Sequence, residues 1–294
     1  MGFRKLWLIN ALGNKYEFTN QNSKIFLDSP EGLGFTRVYS STRLGNVEVI
    51  DTTQFEMIDV GGDLLFHEAT ADESYQRYNE FIQFIKYKPL ELHYQTPNSL
   101  EDYFCKILIT SVEKSQVSSS DSVLHCPITM HRLTQWLTTN DYVVELKKMT
   151  VEDGKYYDLE RPYYYAGNTL QNVSLTNSGT DAVGFTFQID GEVTNPQFTM
   201  SQNGEVYGVC KLNGTFDFVR VNSVDDEEEI YLENDGSSLA NPSAYQDLTT
   251  TDGESYITFI KLAVGENIFN FTCGNIDTFD GTITIRFKNS YVSV

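Results

Sequence analysis

The sequence predicts a mainly β protein in two domains, an α+β domain at residues 1–150 and an all-β domain at residues 151–294. Three observations carry this. One amphipathic helix, with strand-like runs around it, stands in the first half. The second half has no helical period; short apolar–polar alternations are separated there by turn dipeptides. The 294 residues are too many for one ordinary core and too few for three.

Phe3–Asn10 reads as a strand, Leu12-Gly13-Asn14 as a turn and Lys15–Phe18 as the returning arm. Pro30, Gly32 and Gly34 within Phe26–Phe35 favour a loop or an irregular edge over a central strand. Val47–Ile50, Phe55–Val60 and Asp63–Phe66 are predicted short strands, the last two joined by a Gly61-Gly62 hairpin turn. The helix is expected over about 71–88. Thr70 with Glu73 three residues on forms a capping box, each side chain satisfying an orphan N–H. Tyr75, Tyr78, Ile82 and Ile85 share one face, and Pro89 stops the helix. Leu90–Tyr94, Tyr103–Val112 and Val123–Trp136 follow as strands. The last two make a long hairpin, 103–136, about the polar loop Glu113–Ser122. Pro127 cannot donate to a ladder, so its arm should be an edge there or bulge. The helix's apolar stripe must cover one face of this sheet.

Around Val143–Tyr165 the composition shifts and the domain joint is placed. Beyond it, strands are predicted at Gly184–Ile189, Pro196–Met200, Val206–Leu212, Thr215–Val221, Ile230–Glu233, Tyr256–Leu262, Asn267–Phe271 and Thr282–Phe287. Asn203-Gly204, Asn213-Gly214, Asp235-Gly236 and Asp280-Gly281 supply tight turns between them. This is the pattern of an antiparallel sandwich or jelly roll.

Net charge is −20, unevenly placed: 14 basic and 19 acidic residues through Lys148, then 7 and 22 beyond it. Such a surface repels phosphate backbones and anionic membranes, which disfavours groove reading of nucleic acid. No apolar run reaches the ~20 residues of a membrane span, and the start does not read as a signal peptide. Cys105, Cys126, Cys210 and Cys273 are scattered without a C-x-x-C pair. They are expected to be free thiols, suited to folding in a cytosol.

Chemistry finds little material. The run Asp225–Glu229 concentrates carboxylates, which a hard cation such as calcium takes. It lacks the spacing and glycine of a calcium loop, and consecutive residues of an extended chain point to opposite faces. A solvated loop is the expectation. His67, His93, His125 and His131 have no cysteine or carboxylate at zinc-ligand spacing. G-x-S-x-G, H-E-x-x-H and phosphate-cradling glycine loops are absent. No catalytic, metal or cofactor-binding residue is therefore assigned. Tyr163, Tyr164, Tyr165, Tyr207 and Tyr245 are the candidate sugar-contact rings, against the plainer reading of sheet packing.

A resemblance adds to this. The helix Tyr75-x-x-Tyr78-x-x-Phe81, the strand entry Pro89-Leu90-Glu91-Leu92 and a long hairpin ending in Leu133-Thr134-Gln135-Trp136 stand in a telling order. With Leu6–Asn10, Leu12–Tyr16 and Gly32-Leu33-Gly34-Phe35, they resemble the distal tail proteins of long-tailed phages and prophages of Gram-positive bacteria. The likeness covers roughly the first 145 residues. Phe259–Val264, Gly265-Glu266-Asn267 and Ile268–Phe271 look like the late strands of galectin-like sandwiches, a domain that distal tail proteins often carry.

The resemblance implies a split-barrel-like sheet with one helix, then a galectin-like or carbohydrate-binding-module-like sandwich. It implies a non-enzymatic structural protein at the virion's tail tip, without cofactors and assembled in the host cytoplasm. A homo-hexameric ring would stack on the tail-tube protein and receive the tail-associated fibre or lysin protein below. Its outer domains would hold receptor-binding proteins, and DNA would pass through without specific binding. Ring contacts are expected from the edges of Phe3–Phe18 and of the hairpin Tyr103–Trp136. The alternatives are a glycan-binding module, resting on the second domain, and a tail-tube protein.

Overall fold

The computed structural model describes residues 4–18, 24–96, 101–115, 123–147, 170, 172–225, 227–234, 237–238 and 259–294. Among the described residues the chain is mainly β with one helix, and it divides into two compact units. Unit 1 comprises Met1–Asn140 and Ser290–Val294; unit 2 comprises Asp141–Asn289. The joint expected at residue 150 falls among undescribed residues, and the sheets divide the chain earlier. Strand Tyr142–Lys147 already belongs to unit 2, and the chain returns to unit 1 at Ser290.

In unit 1 the elements run β1 (Lys5–Ile9), β2 (Lys15–Glu17), β3 (Ile25–Glu31), β4 (Thr36–Leu44), β5 (Val47–Glu56), β6 (Val60–His67), α1 (Ala71–Phe84), β7 (Leu90–Gln95), β8 (Asp102–Val112), β9 (Val123–Arg132) and β10 (Trp136–Thr138). The main sheet has the order β2-β1-β7-β8-β9-β6-β3. Phe18 closes this order on itself: its N–H donates to Leu6 O at 2.9 Å and its carbonyl accepts from Leu27 N at 3.2 Å. The result is a small barrel, and alternation along β9 turns Leu124, Cys126, Ile128 and Met130 inward.

Helix α1 begins where the capping box places it. Glu73 N donates to Thr70 Oγ1 at 3.3 Å and Thr70 N to Glu73 Oε2 at 3.1 Å. It packs on β6 and β9 through Phe81, which is fully buried against Tyr16, Phe18 and Phe66, with Tyr75, Tyr78, Ile82 and Ile85 beside it. Burying such a ring contributes about 1.5–3 kcal/mol. The helix ends at Phe84, short of the expected 88. Asn10 Nδ2 takes the Phe84 carbonyl at 3.2 Å, and Ile85–Pro89 turn tightly into β7.

Two expectations are not met. Gly61 and Gly62 make no turn; they lie inside β6, between β3 and β9. A side chain on Gly62 would stand 2.8 Å from Asp28 O, and one on Gly61 would stand 3.2 Å from Ile128 O. The glycines serve close strand approach. Pro127 is not at an edge or a bulge: it lies opposite Asp63 of β6, and on its other side Glu113 and Ser115, just beyond β8, donate to the carbonyls of Pro127 and His125. Neighbouring β8 ends at Val112, and Glu113 N donates to the Pro127 carbonyl at 2.9 Å.

Unit 2 contains β11 (Tyr142–Lys147), β12 (Val173–Asn177), β13 (Phe185–Thr194), β14 (Gln197–Gln202), β15 (Glu205–Lys211), β16 (Thr215–Asn222), β17 (Glu229–Asn234), β18 (Ser237–Ser238), β19 (Gly265–Thr272) and β20 (Thr282–Phe287); β21 (Ser290–Tyr291) then pairs with β10 in unit 1. A six-stranded sheet, β11-β20-β13-β16-β17-β18, faces a four-stranded one, β12-β19-β14-β15. Phe185, Phe187, Phe198, Phe269 and Phe271 fill the space between them. The sandwich is antiparallel throughout its described pairings, and Asn203-Gly204 turns β14 into β15 with both residues at positive φ.

Candidate assembly surface

The elements that carry chemistry in other proteins are occupied here. His93 is buried, stacked between Trp7 and Phe104 at 5.3 and 5.5 Å. His125 Nδ1 lies 2.6 Å from Asp63 and His131 Nδ1 2.7 Å from Asp59, two separate exposed pairs along β9. The acidic run disperses: Asp225 pairs with Lys261, Glu229 with Arg220 at 2.7 Å. No group of three or more metal-ligating side chains occurs among the described residues. All four cysteines are buried and none is in a disulfide. Burial pushes the Cys105 thiol up to about 12 and that of Cys126 up to about 11.

Of the candidate sugar-contact rings, Tyr163, Tyr164, Tyr165 and Tyr245 lie outside the described residues. Tyr207 is half-buried against the sandwich core, and its hydroxyl donates to Asn267 Oδ1 at 2.7 Å. Asn267 is itself buried and donates to Ala263 O and Gly265 O, so this tyrosine helps pin the turn before β19.

The surface that stands out is one that periodicity did not reveal. Strands β4 and β5 form a two-stranded ribbon of their own, paired among the described residues only with each other. Gly45 at φ +66° opens its two-residue turn. Every residue of both strands is exposed. Yet the ribbon carries Val38, Tyr39, Leu44, Val47, Val49 and Ile50, each at least 42% exposed. Sequence reading missed Thr36–Leu44 because a ribbon exposed on both faces has no polar–apolar alternation. The signal present was Leu44-Gly45-Asn46-Val47 between β-branched runs.

Polar contacts stiffen the ribbon: Ser40 to Thr52 at 2.7 Å and Thr42 to Asp51 at 2.7 Å. At its root Phe35 meets Phe55 edge-on at 5.2 Å, with the Arg37 guanidinium 4.8 Å above the Phe55 ring. Gly32, at φ +80°, brings the entering strand so near that any side chain there would collide with the Asp59 carbonyl. β1 lies between β2 and β7, and β8 between β7 and β9, so their backbone groups are already paired.

Comparison with known proteins agrees with this architecture. Residues 5–133 match the family described as distal tail protein, N-terminal domain. The SPP1 Dit protein, described as a paradigm of hub adsorption apparatus in phages infecting Gram-positive hosts, superposes with a TM-score of 0.62 at 10% identity. That match covers 97% of this chain and 98% of the other. A chain of the phage p2 baseplate in its activated conformation with strontium has a TM-score of 0.57 at 14% identity, over the whole of both chains. These identities speak for a shared fold. No curated protein sequence matches the chain.

Proposed function

We infer, from a chain whose residues 5–133 are a distal tail protein N-terminal domain, a structural role at the tip of a phage tail, as the hub of a baseplate. The full-length likeness to a hub protein and to a baseplate chain supports this reading. Its work is assembly, not catalysis. Copies of unit 1 close head to tail into a ring of six that continues the symmetry of the tail tube. The tube protein stacks on one side, the tail-associated fibre or lysin protein on the other, and unit 2 presents the anchoring surface for receptor-binding components. DNA passes through without specific contacts, and the parts meet in the host cytoplasm.

The observation that carries the ring is the ribbon β4–β5. An isolated two-stranded hairpin is marginal in water, and exposed apolar edges invite pairing. A ribbon with this much exposed apolar surface is matched to a neighbour that covers it. The test is electron microscopy and light scattering of concentrated protein, with and without the cognate tube protein. Closed rings of six, or six copies per tube end, are expected. Open-ended filaments of this protein alone would instead indicate a tube protein. Persistent monomers that bind cell-wall glycan but never a tube would indicate a glycan-binding module.

A further inference from the structure

Arg132, at the end of β9, is fully buried. Its hydrogen bonds among the described residues go to backbone carbonyls alone. Nε donates to Ile58 O at 3.0 Å, Nη2 to Gly34 O at 3.4 Å and Nη1 to Val292 O at 3.4 Å. The Trp136 ring lies 5.8 Å from its guanidinium carbon. A buried cation is costly unless its donors are satisfied, so this arrangement demands a structural reason.

The three carbonyls supply it. Gly34 stands two residues before β4 begins, and Ile58 two residues after β5 ends. One guanidinium therefore grips both legs of the exposed ribbon at the same height. The third carbonyl belongs to Ser290–Val294, the segment that returns to unit 1 after unit 2 is complete. That segment is built in: β21 pairs with β10, Tyr291 meets Tyr103 edge-on at 5.4 Å, Val292 is buried and Ser293 Oγ donates to Leu33 O at 3.5 Å. Among the described residues the ribbon has no sheet partner that could set its direction, so its aim is decided at the root.

We propose that Arg132 and the segment Val292–Val294 form a seat that orients the ribbon 36–56 for docking, which makes Arg132 a positioning residue for assembly. Arginine is required here because its planar fork presents donors in three directions, whereas a lysine ammonium at the same place cannot span three separated carbonyls. It follows that the ribbon is correctly aimed only once the segment beyond unit 2 has folded back. The docking relevance rests on the assembly reading above; the geometry of the seat does not.

The experiment is hydrogen–deuterium exchange on the unassembled full chain, comparing the parent with Arg132→Lys and with a chain ended after Tyr291. In both variants the amides flanking the ribbon, 33–38 and 54–59, should exchange at least about tenfold faster, as expected for losing hydrogen bonds to a charged group, while α1 and β7 keep their protection. Unchanged root protection in both variants would overturn the proposal. So would equal deprotection of α1, β7 and the root, since Arg132 would then merely hold up the whole fold. Arg132→Lys behaving like the parent would also overturn it, by showing that charge alone suffices. The readout involves no second copy, so it stands or falls apart from the ring.

Discussion

Unit 1 holds two long ribbons of nearly equal reach, β8–β9 and β4–β5, and they live in opposite circumstances. β9 alternates buried and half-open positions, and its inward residues meet Phe66, Phe81 and the rest of the barrel core. β4–β5 has the same backbone pairing, a bulge and a tight turn, but no residue in either strand is covered. Each is an antiparallel pair, but β8 also pairs with β7 and β9 with β6, while β4 and β5 pair with each other alone among the described residues. Burial differs as well: it supplies most of the stability of one ribbon, and the chain itself supplies none to the other.

The contrast can be broken from the buried side first. Met130→Ala on β9 removes a side chain with no exposure and should cost about 2–5 kcal/mol. Urea unfolding followed by tryptophan fluorescence should show the midpoint falling sharply, because Trp7 and Trp136 both belong to unit 1. A loss below about 1 kcal/mol would mean that the core relaxes around the gap.

The next effect is electrostatic. Burial alone would raise the Glu68 carboxyl, but hydrogen bonds from Lys24 and Arg77 outweigh it and hold the group below its ordinary value of 4.5. A depressed carboxyl contributes stability that is present near neutrality and drains away as pH falls below 4.5 through the folded-state value. The urea midpoint of unit 1 should fall over that range, and Glu68→Gln should lower the neutral-pH midpoint and flatten the acid limb. An acid limb that keeps its slope in the variant would assign it to other carboxylates.

Smaller still, Thr70→Ala removes the helix cap and should cost about 1 kcal/mol, with Glu73→Ala costing part of the same amount because the two bonds are reciprocal. Double-mutant analysis by thermal melting checks this; full additivity would deny the reciprocity.

The smallest stability effect is expected on the exposed ribbon. Replacing Val38, Leu44 and Ile50 together by serine should move the unfolding midpoint of the single chain by no more than about 0.5 kcal/mol per site. The same triple variant should abolish ring formation in light scattering at high concentration. A variant that still closes rings would remove the ribbon from the interface; one that unfolds would show that the ribbon supports its own chain.

Much of the molecule is legible in its sequence, for local reasons. Thr70 and Glu73 set the start of the helix through reciprocal bonds three residues apart, whereas its end at Phe84 falls short of the Pro89 stop. In unit 2, alternation between Gly-containing turns marks β13 to β17, β19 and β20, since each strand buries one face in a single sandwich. The early motifs and their order resemble the distal tail protein family, whose N-terminal domain matches residues 5–133. Tertiary structure decided the rest. Gly61-Gly62 is a turn by local rule and a strand in fact, because β3 and β9 press on it from both sides. The ribbon β4–β5 leaves no periodic trace, because neither face is buried within the chain. Arg132 is inconspicuous among 21 basic residues; only the fold brings Gly34, Ile58 and Val292, far apart in sequence, around one guanidinium. Local sequence determines what short segments prefer, and contacts between residues distant in the chain determine which of those preferences are overruled.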